Sequence, residues 1–134
     1  MERSVDEGAR ALVVREPWAT WIVRGEKVWE IRGRGTRIRG QIAIAAAGTK
    51  CILGVCWLTG VLGPLTLEQY RKGQSNHRSP PEGLERLPYP QTYAWCLADA
   101  VPVQPLPYTH PSGAVTWVRL PPDLWQRLPE RMRP

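Results

Sequence analysis

The chain has 134 residues and a mass of 15.2 kDa, enough for one domain around one core. Its formal charge of +6 at pH 7 rests on 15 Arg against 3 Lys; arginine's planar fork suits phosphate oxygens and base faces, although GC-rich codons would also favour Arg together with the abundant Ala, Gly and Pro. The longest apolar run, Cys51 to Leu62, is far short of the roughly 20 residues of a spanning helix, and residues 1–8 are polar without an apolar signal core, so a cytoplasmic protein off the membrane is expected.

Residues 1–8 read as a flexible tail and 9–128 as a single domain. Ala11 to Val14 is an apolar run. Glu16 to Gly25 predicts a short helix: proline suits a first helical position, Trp18, Trp21 and Ile22 recur at helical spacing, and Gly25 falls where a left-handed residue ends a helix. Gly25 to Arg32 then puts Lys27, Glu30 and Arg32 into a turn followed by a strand. On an extended chain Val28, Glu30 and Arg32 share one face, and Lys27, Trp29 and Ile31 the other. An acid and a base two residues apart have Cα atoms roughly 7 Å apart, so Glu30 can orient Arg32 and leave guanidinium donors free. Gln41 to Ala47 is a small, β-branched strand that leaves room beside these charges.

Ile52 to Leu62 predicts a central strand, with Gly54 and Gly60 at bulges or close approaches. Trp57, Trp21 and Trp125 are expected in the core. Thr66 to Gly73 is a two-turn helix with a capping-box pair, Thr66 and Gln69. Residues 74–91 form a long loop carrying His77 and Arg78, read either as a solvated insertion or as a lid that reaches a ligand. Thr92 to Leu97 resumes a strand, and the proline-punctuated Val101 to Tyr108 is expected as an edge segment or an extended loop. Ala114 to Leu120 is the last strand and Asp123 to Leu128 a closing helix, before a basic tail at 129–134 with Arg131 and Arg133. Five or six strands with two or three short helices predict a mainly β fold with short helices (α+β), a small and mostly antiparallel β-barrel. Cys51, Cys56 and Cys96 cannot all pair, and Cys51 and Cys56 lack metal-ligand spacing, so unpaired buried thiols are expected, with neither metal nor cofactor.

Pro17-Trp18-Ala19, then Gly25-x-Lys27-x-x-Glu30-x-Arg32, then Arg39-Gly40-x-Ile42-Ala43-Ile44-Ala45 resembles the ASCH domain, a small barrel of the PUA-like superfamily. Tyr93-Ala94-Trp95 and Pro107-Tyr108-x-His110-Pro111-x-Gly113-Ala114-x-x-Trp117 are similar to the C-terminal strands of its bacterial members. The resemblance runs from about Leu12 to Val118. It implies the fold and an RNA-facing cleft; the family includes nucleic-acid binders, reported ribonuclease activity and small amidohydrolases.

On that resemblance the nucleic-acid-binding candidates are Trp18, Lys27, Trp29, Glu30, Arg32, Tyr93, Trp95, His110 and Trp117. Lys27 and Arg32 would hold phosphate or base edges, and Glu30 would fix Arg32 or accept from an exocyclic amine. An aromatic such as Trp29 or Trp95 would stack a base; the seven Trp and four Tyr, with no Phe, favour such platforms. His110 is either a structural hydrogen-bonder or part of the site. The expected partner is single-stranded or modified RNA, with DNA as an alternative. The second hypothesis is a hydrolase of RNA or of a modified nucleoside in which Lys27 and Glu30 are catalytic. Against its amidohydrolase version, the family's N4-acetylcytidine amidohydrolases carry threonine at the position matching Glu30, and the later glutamate they need has only Glu68 as its nearest match by order. The third hypothesis is a protein-interaction module.

Overall fold

The computed structural model describes residues 8–131. The tail at residues 1–7 and Arg133 lie outside this span. The strands are β1 (Arg10–Val14), β2 (Trp29–Arg32), β3 (Gly40–Ala46), β4 (Cys51–Leu62), β5 (Tyr93–Pro107) and β6 (Trp117–Arg119). The helices are α1 (Trp18–Val23), α2 (Leu67–Lys72), α3 (Gln74–His77) and α4 (Pro122–Trp125), and a 3₁₀ turn covers Pro81–Gly83. All six strands form one curled half-barrel sheet in the order β2-β5-β4-β3-β1-β6, antiparallel except where β1 runs parallel to β3.

The central strand is β4, as expected, and its ladder with β5 shifts register at Ile52/Gly54 and again at Leu58/Gly60. Gly54 is required there: a Cβ would collide with the Val101 carbonyl and with Val23 of α1. That close approach lets α1 lie inside the curl against Ile42, Ile44 and Leu58. Gly25 has φ +78 and ends α1 as the sequence suggested, whereas Pro17 sits one residue earlier than expected, at the cap itself. Glu16 completes that start, its carboxylate accepting from the Thr20 amide at 2.8 Å and the Thr20 hydroxyl at 2.6 Å.

Val101 to Tyr108 proves largely continuous with Thr92 to Leu97 in one long β5. Its prolines are tolerated because β2 pairs only with Tyr93 to Cys96, so beyond that point β5 has a neighbour on one side only. The capping box forms as read, with Gln69 N donating to Thr66 Oγ1 and Thr66 N to the Gln69 carboxamide. Trp21, Trp57 and Trp125 differ from expectation in being only half-buried. Trp57 falls between Cys56 and Leu58 of the inner cluster, so strand alternation puts it on the other face of β4, beyond buried Val55. The thiols are unpaired, but only Cys56 is fully buried, and burial pushes it up to about 12. Arg131 is tied down rather than free, with Nη2 2.6 Å from Asp99 Oδ1. Among the described residues no helix is long and apolar enough to cross a membrane.

Candidate nucleic-acid interface

The curl brings β2, at one edge of the sheet, toward β1 near the other without pairing them. Arg32 crosses the gap: its Nη2 donates to the Val13 carbonyl at 2.8 Å, and Nε and Nη2 both reach Glu30 Oε2 at 2.9 Å. At this mouth lies a cleft of about 570 Å³, floored by Lys27, Glu30, Ile31 and Arg32. Its walls include Arg15, Trp18, Tyr70, Ser79 and Tyr89.

Lys27 is 3 % exposed. Its ammonium donates to the carbonyls of Trp29 and His77, each at 2.7 Å, and lies 3.5 Å from Glu30 Oε1 and 5.7 Å from the centre of the Trp18 ring. Lys27 therefore joins Glu30, although strand alternation had put the two on opposite faces. The reason is local. Lys27 precedes β2, and the amides of Glu26 and Lys27 both bond to the Trp21 carbonyl, wrapping the chain round the end of α1 before extension begins. Burial lowers the Lys27 pKa and the Glu30 carboxylate opposes that shift.

The loop at 74–91 carries two short helical turns, and His77 is buried within it rather than reaching out as a lid residue. Its ring stacks on Tyr70 at 4.2 Å and 9°. The Ser79 amide donates to Nδ1, so Nε2 carries the proton and donates to the Tyr70 carbonyl at 2.7 Å. Both ring nitrogens of a neutral imidazole are thereby used. The Tyr70 hydroxyl donates to Ser79 Oγ at 3.0 Å. Arg78 lies over Trp21 at 4.8 Å and latches this segment to α1.

Burial lowers the His77 pKa below its ordinary 6.5. The neutral ring therefore contributes stability that is complete above 6.5 and is lost as pH falls through the folded value, because the unfolded chain then binds the proton more readily. Denaturant midpoints measured on either side of pH 6.5 should drop on the acid side, and His77→Gln should flatten that drop.

Four of the nine candidates line the cleft: Trp18, Lys27, Glu30 and Arg32. Trp95 lies beneath them, 1 % exposed, with Arg32 over one ring at 5.6 Å and Trp117 stacked at 5.9 Å. Neither of those two tryptophans lines the cleft, and burial makes Trp95 a support for Arg32 rather than an open stacking surface. Trp29 packs on Gly73, where a Cβ would meet its ring. Tyr93 donates to Gln91 at 3.0 Å, away from the cleft lining. His110 bridges the Tyr108 hydroxyl at 2.8 Å and the Ala114 carbonyl at 2.9 Å, bracing the turn before β6.

Tyr70, Ser79, Tyr89 and Arg15 were missed. For Tyr70 a signal existed, since it and Leu67 are the apolar-bodied residues at i and i+3 of a helix whose other positions are polar or charged. Ser79 and Tyr89 carried none, because they reach the cleft through tertiary packing of an aperiodic segment.

The family model for the ASCH domain matches residues 12–107. The crystal structure of ASCH from Zymomonas mobilis is similar to this chain with a TM-score of 0.70 at 17% identity, over 90% of this chain and 92% of that one. Two mutant structures of the same protein, a serine-to-alanine and a tyrosine-to-phenylalanine form, each match with a TM-score of 0.68 at 17% identity, covering 91% and 90% of this chain and 94% and 95% of theirs. No curated relative matches.

Proposed function

The chain belongs to the ASCH domain family, whose PUA-like fold is associated with RNA binding, and we propose that its cleft holds an unpaired nucleotide of single-stranded or modified RNA. One observation carries this reading: buried Lys27 and Glu30, joined by half-buried Arg32, form the floor of an open cleft whose walls include Trp18, Tyr70 and Tyr89. The cleft's volume falls in the range of about 300–1,000 Å³ typical of small-ligand sites. Arg32 commits Nε and Nη2 to Glu30 and Val13, which leaves Nη1 with two donors for a base edge or phosphate. Among the described residues Glu30 Oε1 has only the 3.5 Å contact to Lys27, and it can accept from an exocyclic amine. Trp18 and the exposed Tyr89 offer ring faces, and Arg15 adds charge at the rim. A base has to be unstacked to enter such a site, which favours single strands over duplexes.

A hydrolytic role is less well supported. Lys27 has its three N–H groups directed at two carbonyls and a carboxylate, which suits an ammonium clamp better than a base.

The test is a titration with short fluorescent single-stranded RNA, duplex RNA and single-stranded DNA at two salt concentrations, with the RNA recovered and its length and acetylcytidine content checked. Salt-sensitive binding of single strands that return intact is expected. Trp18→Ala should weaken it by about 1–3 kcal/mol if the indole stacks a base, and Arg32→Ala should weaken it and flatten its salt dependence. Unchanged affinity in both variants, with the fold intact, would remove the cleft from consideration; shortened or deacetylated RNA would make the protein a hydrolase.

A further inference from the structure

From Glu30 to the next acidic residue, Glu68, the chain carries five cations: Arg32, Arg34, Arg37, Arg39 and Lys50. Four of them fall between Arg32 and Arg39, in the end of β2 and its connection to β3. That connection holds its own shape. Trp95 Nε1 donates to the Arg34 carbonyl at 2.8 Å, Arg39 Nη1 donates to the carbonyls of Thr36 and Ile38 at 2.7 Å each, and the Ile38 amide donates to Thr36 Oγ1 at 3.2 Å. Arg39 thus spends its Nη1 donors on the loop. Arg34 and Arg37 remain exposed, with no carboxylate within ion-pair distance among the described residues.

The loop leaves directly from the cleft. Arg32 is on the cleft floor, and Gly33 lies so close to Tyr89 on its wall that a Cβ there would come to 3.0 Å from the ring. From Arg32 to Arg37 the chain can reach at most about 18 Å, a length that faces several phosphates at about 3.4 Å per residue of stacked strand. Because the loop is already braced by Trp95 and Arg39, little ordering entropy is lost when phosphates dock on it.

We infer that Arg34 and Arg37 form a phosphate-tracking ridge for the strand leaving the cleft, so that the ligand is an oligonucleotide with flanking phosphodiesters and not a free nucleoside or mononucleotide. This rests on the RNA-binding reading above. Arg34 and Arg37 act on the sugar–phosphate backbone and carry no base preference.

The experiment compares a trinucleotide with a longer single-stranded RNA of mixed sequence, both fluorescein-labelled, across a salt series. The proteins are wild type, Arg34→Gln/Arg37→Gln, and the charge-matched single variants Arg37→Gln and Arg127→Gln. Arg127 is exposed next to α4, whose Leu124 packs with Leu128, Ala43, Ile52 and Val118 on the face of the sheet opposite α1. The double variant should bind the longer RNA more weakly, with a salt slope shallower by about 0.7 for each lost contact. The trinucleotide should be nearly unaffected, and Arg127→Gln should have less effect than Arg37→Gln. DNA of the same sequence should show the same loss of slope if wild type binds it, since the phosphate chemistry is shared. Wild-type slopes for the longer RNA in the double variant, or equal effects of Arg37→Gln and Arg127→Gln, would overturn the ridge while leaving the cleft reading in place. If wild type binds neither RNA, both readings fail together.

Discussion

Lys27→Ala is expected to destabilise the fold by about 3–5 kcal/mol, the usual cost of removing one partner from a buried charge pair. The substitution orphans two carbonyls as well as loosening Glu30, since Trp29 and His77 both accept from Nζ at 2.7 Å. Each abandoned buried acceptor costs about 1–3 kcal/mol when nothing replaces the donor. Water entering from the cleft offsets part of this, which keeps the sum near the lower end. The damage is also directional. The His77 carbonyl is the point where Lys27 ties the 74–91 segment to β2, and that segment supplies Ser79 and Tyr89 to the cleft wall. Lys27→Met keeps most of the stem's packing but none of its charge, so it should lose slightly less stability and still lose RNA binding. Urea unfolding of both variants, read with binding at a temperature where each remains folded, separates the two effects. A loss below about 1 kcal/mol in Lys27→Ala, the scale of an exposed ion pair, would show that Lys27 is not the clamp.

The floor of the cleft could be read from eight residues, because charge inside a short, otherwise apolar strand has few structural uses. Glu30 and Arg32 sit two apart on β2 and meet as the extended spacing predicts. Gly54 and Gly25 were legible for a similar reason: each glycine answers a local backbone demand, one a close approach and one a positive φ. What stayed hidden depends on contacts between distant segments. Lys27 reaches a carbonyl fifty positions away, and Arg32 crosses to Val13 only because the sheet curls. Periodicity assigns Trp95 a face of β5 but cannot say that Arg32 and Trp117 cover it. The same limit explains His77: a polar residue in an aperiodic loop looks solvated until Tyr70 is found stacked on it.

Trp95→Ala should be comparably severe, about 3–5 kcal/mol by the large-to-small rule for buried aromatics, and should damage the cleft from beneath. The indole joins three parts of the molecule. It belongs to the main core cluster with Leu12, Ile42 and Leu58, it stacks with Trp117 at 13°, and it donates to the Arg34 carbonyl at 2.8 Å. Arg10 lies over Trp117 at 5.9 Å as Arg32 lies over Trp95 at 5.6 Å, so each of the paired indoles has a guanidinium against it. Removing the inner ring takes the support from under Arg32 and the anchor from the 33–39 loop. Trp95→Phe separates packing from hydrogen bonding. It keeps an aromatic face for Arg32 but loses the Nε1 donor, so it should cost about 1 kcal/mol for the lost bond plus a smaller packing loss. In that variant trinucleotide affinity should stay close to wild type while the salt slope for the longer RNA falls, because Arg34 and Arg37 are no longer held in place. Should Trp95→Phe instead weaken both RNAs equally, the indole's part would lie in positioning Arg32, and the loop's order would not depend on the Trp95 bond.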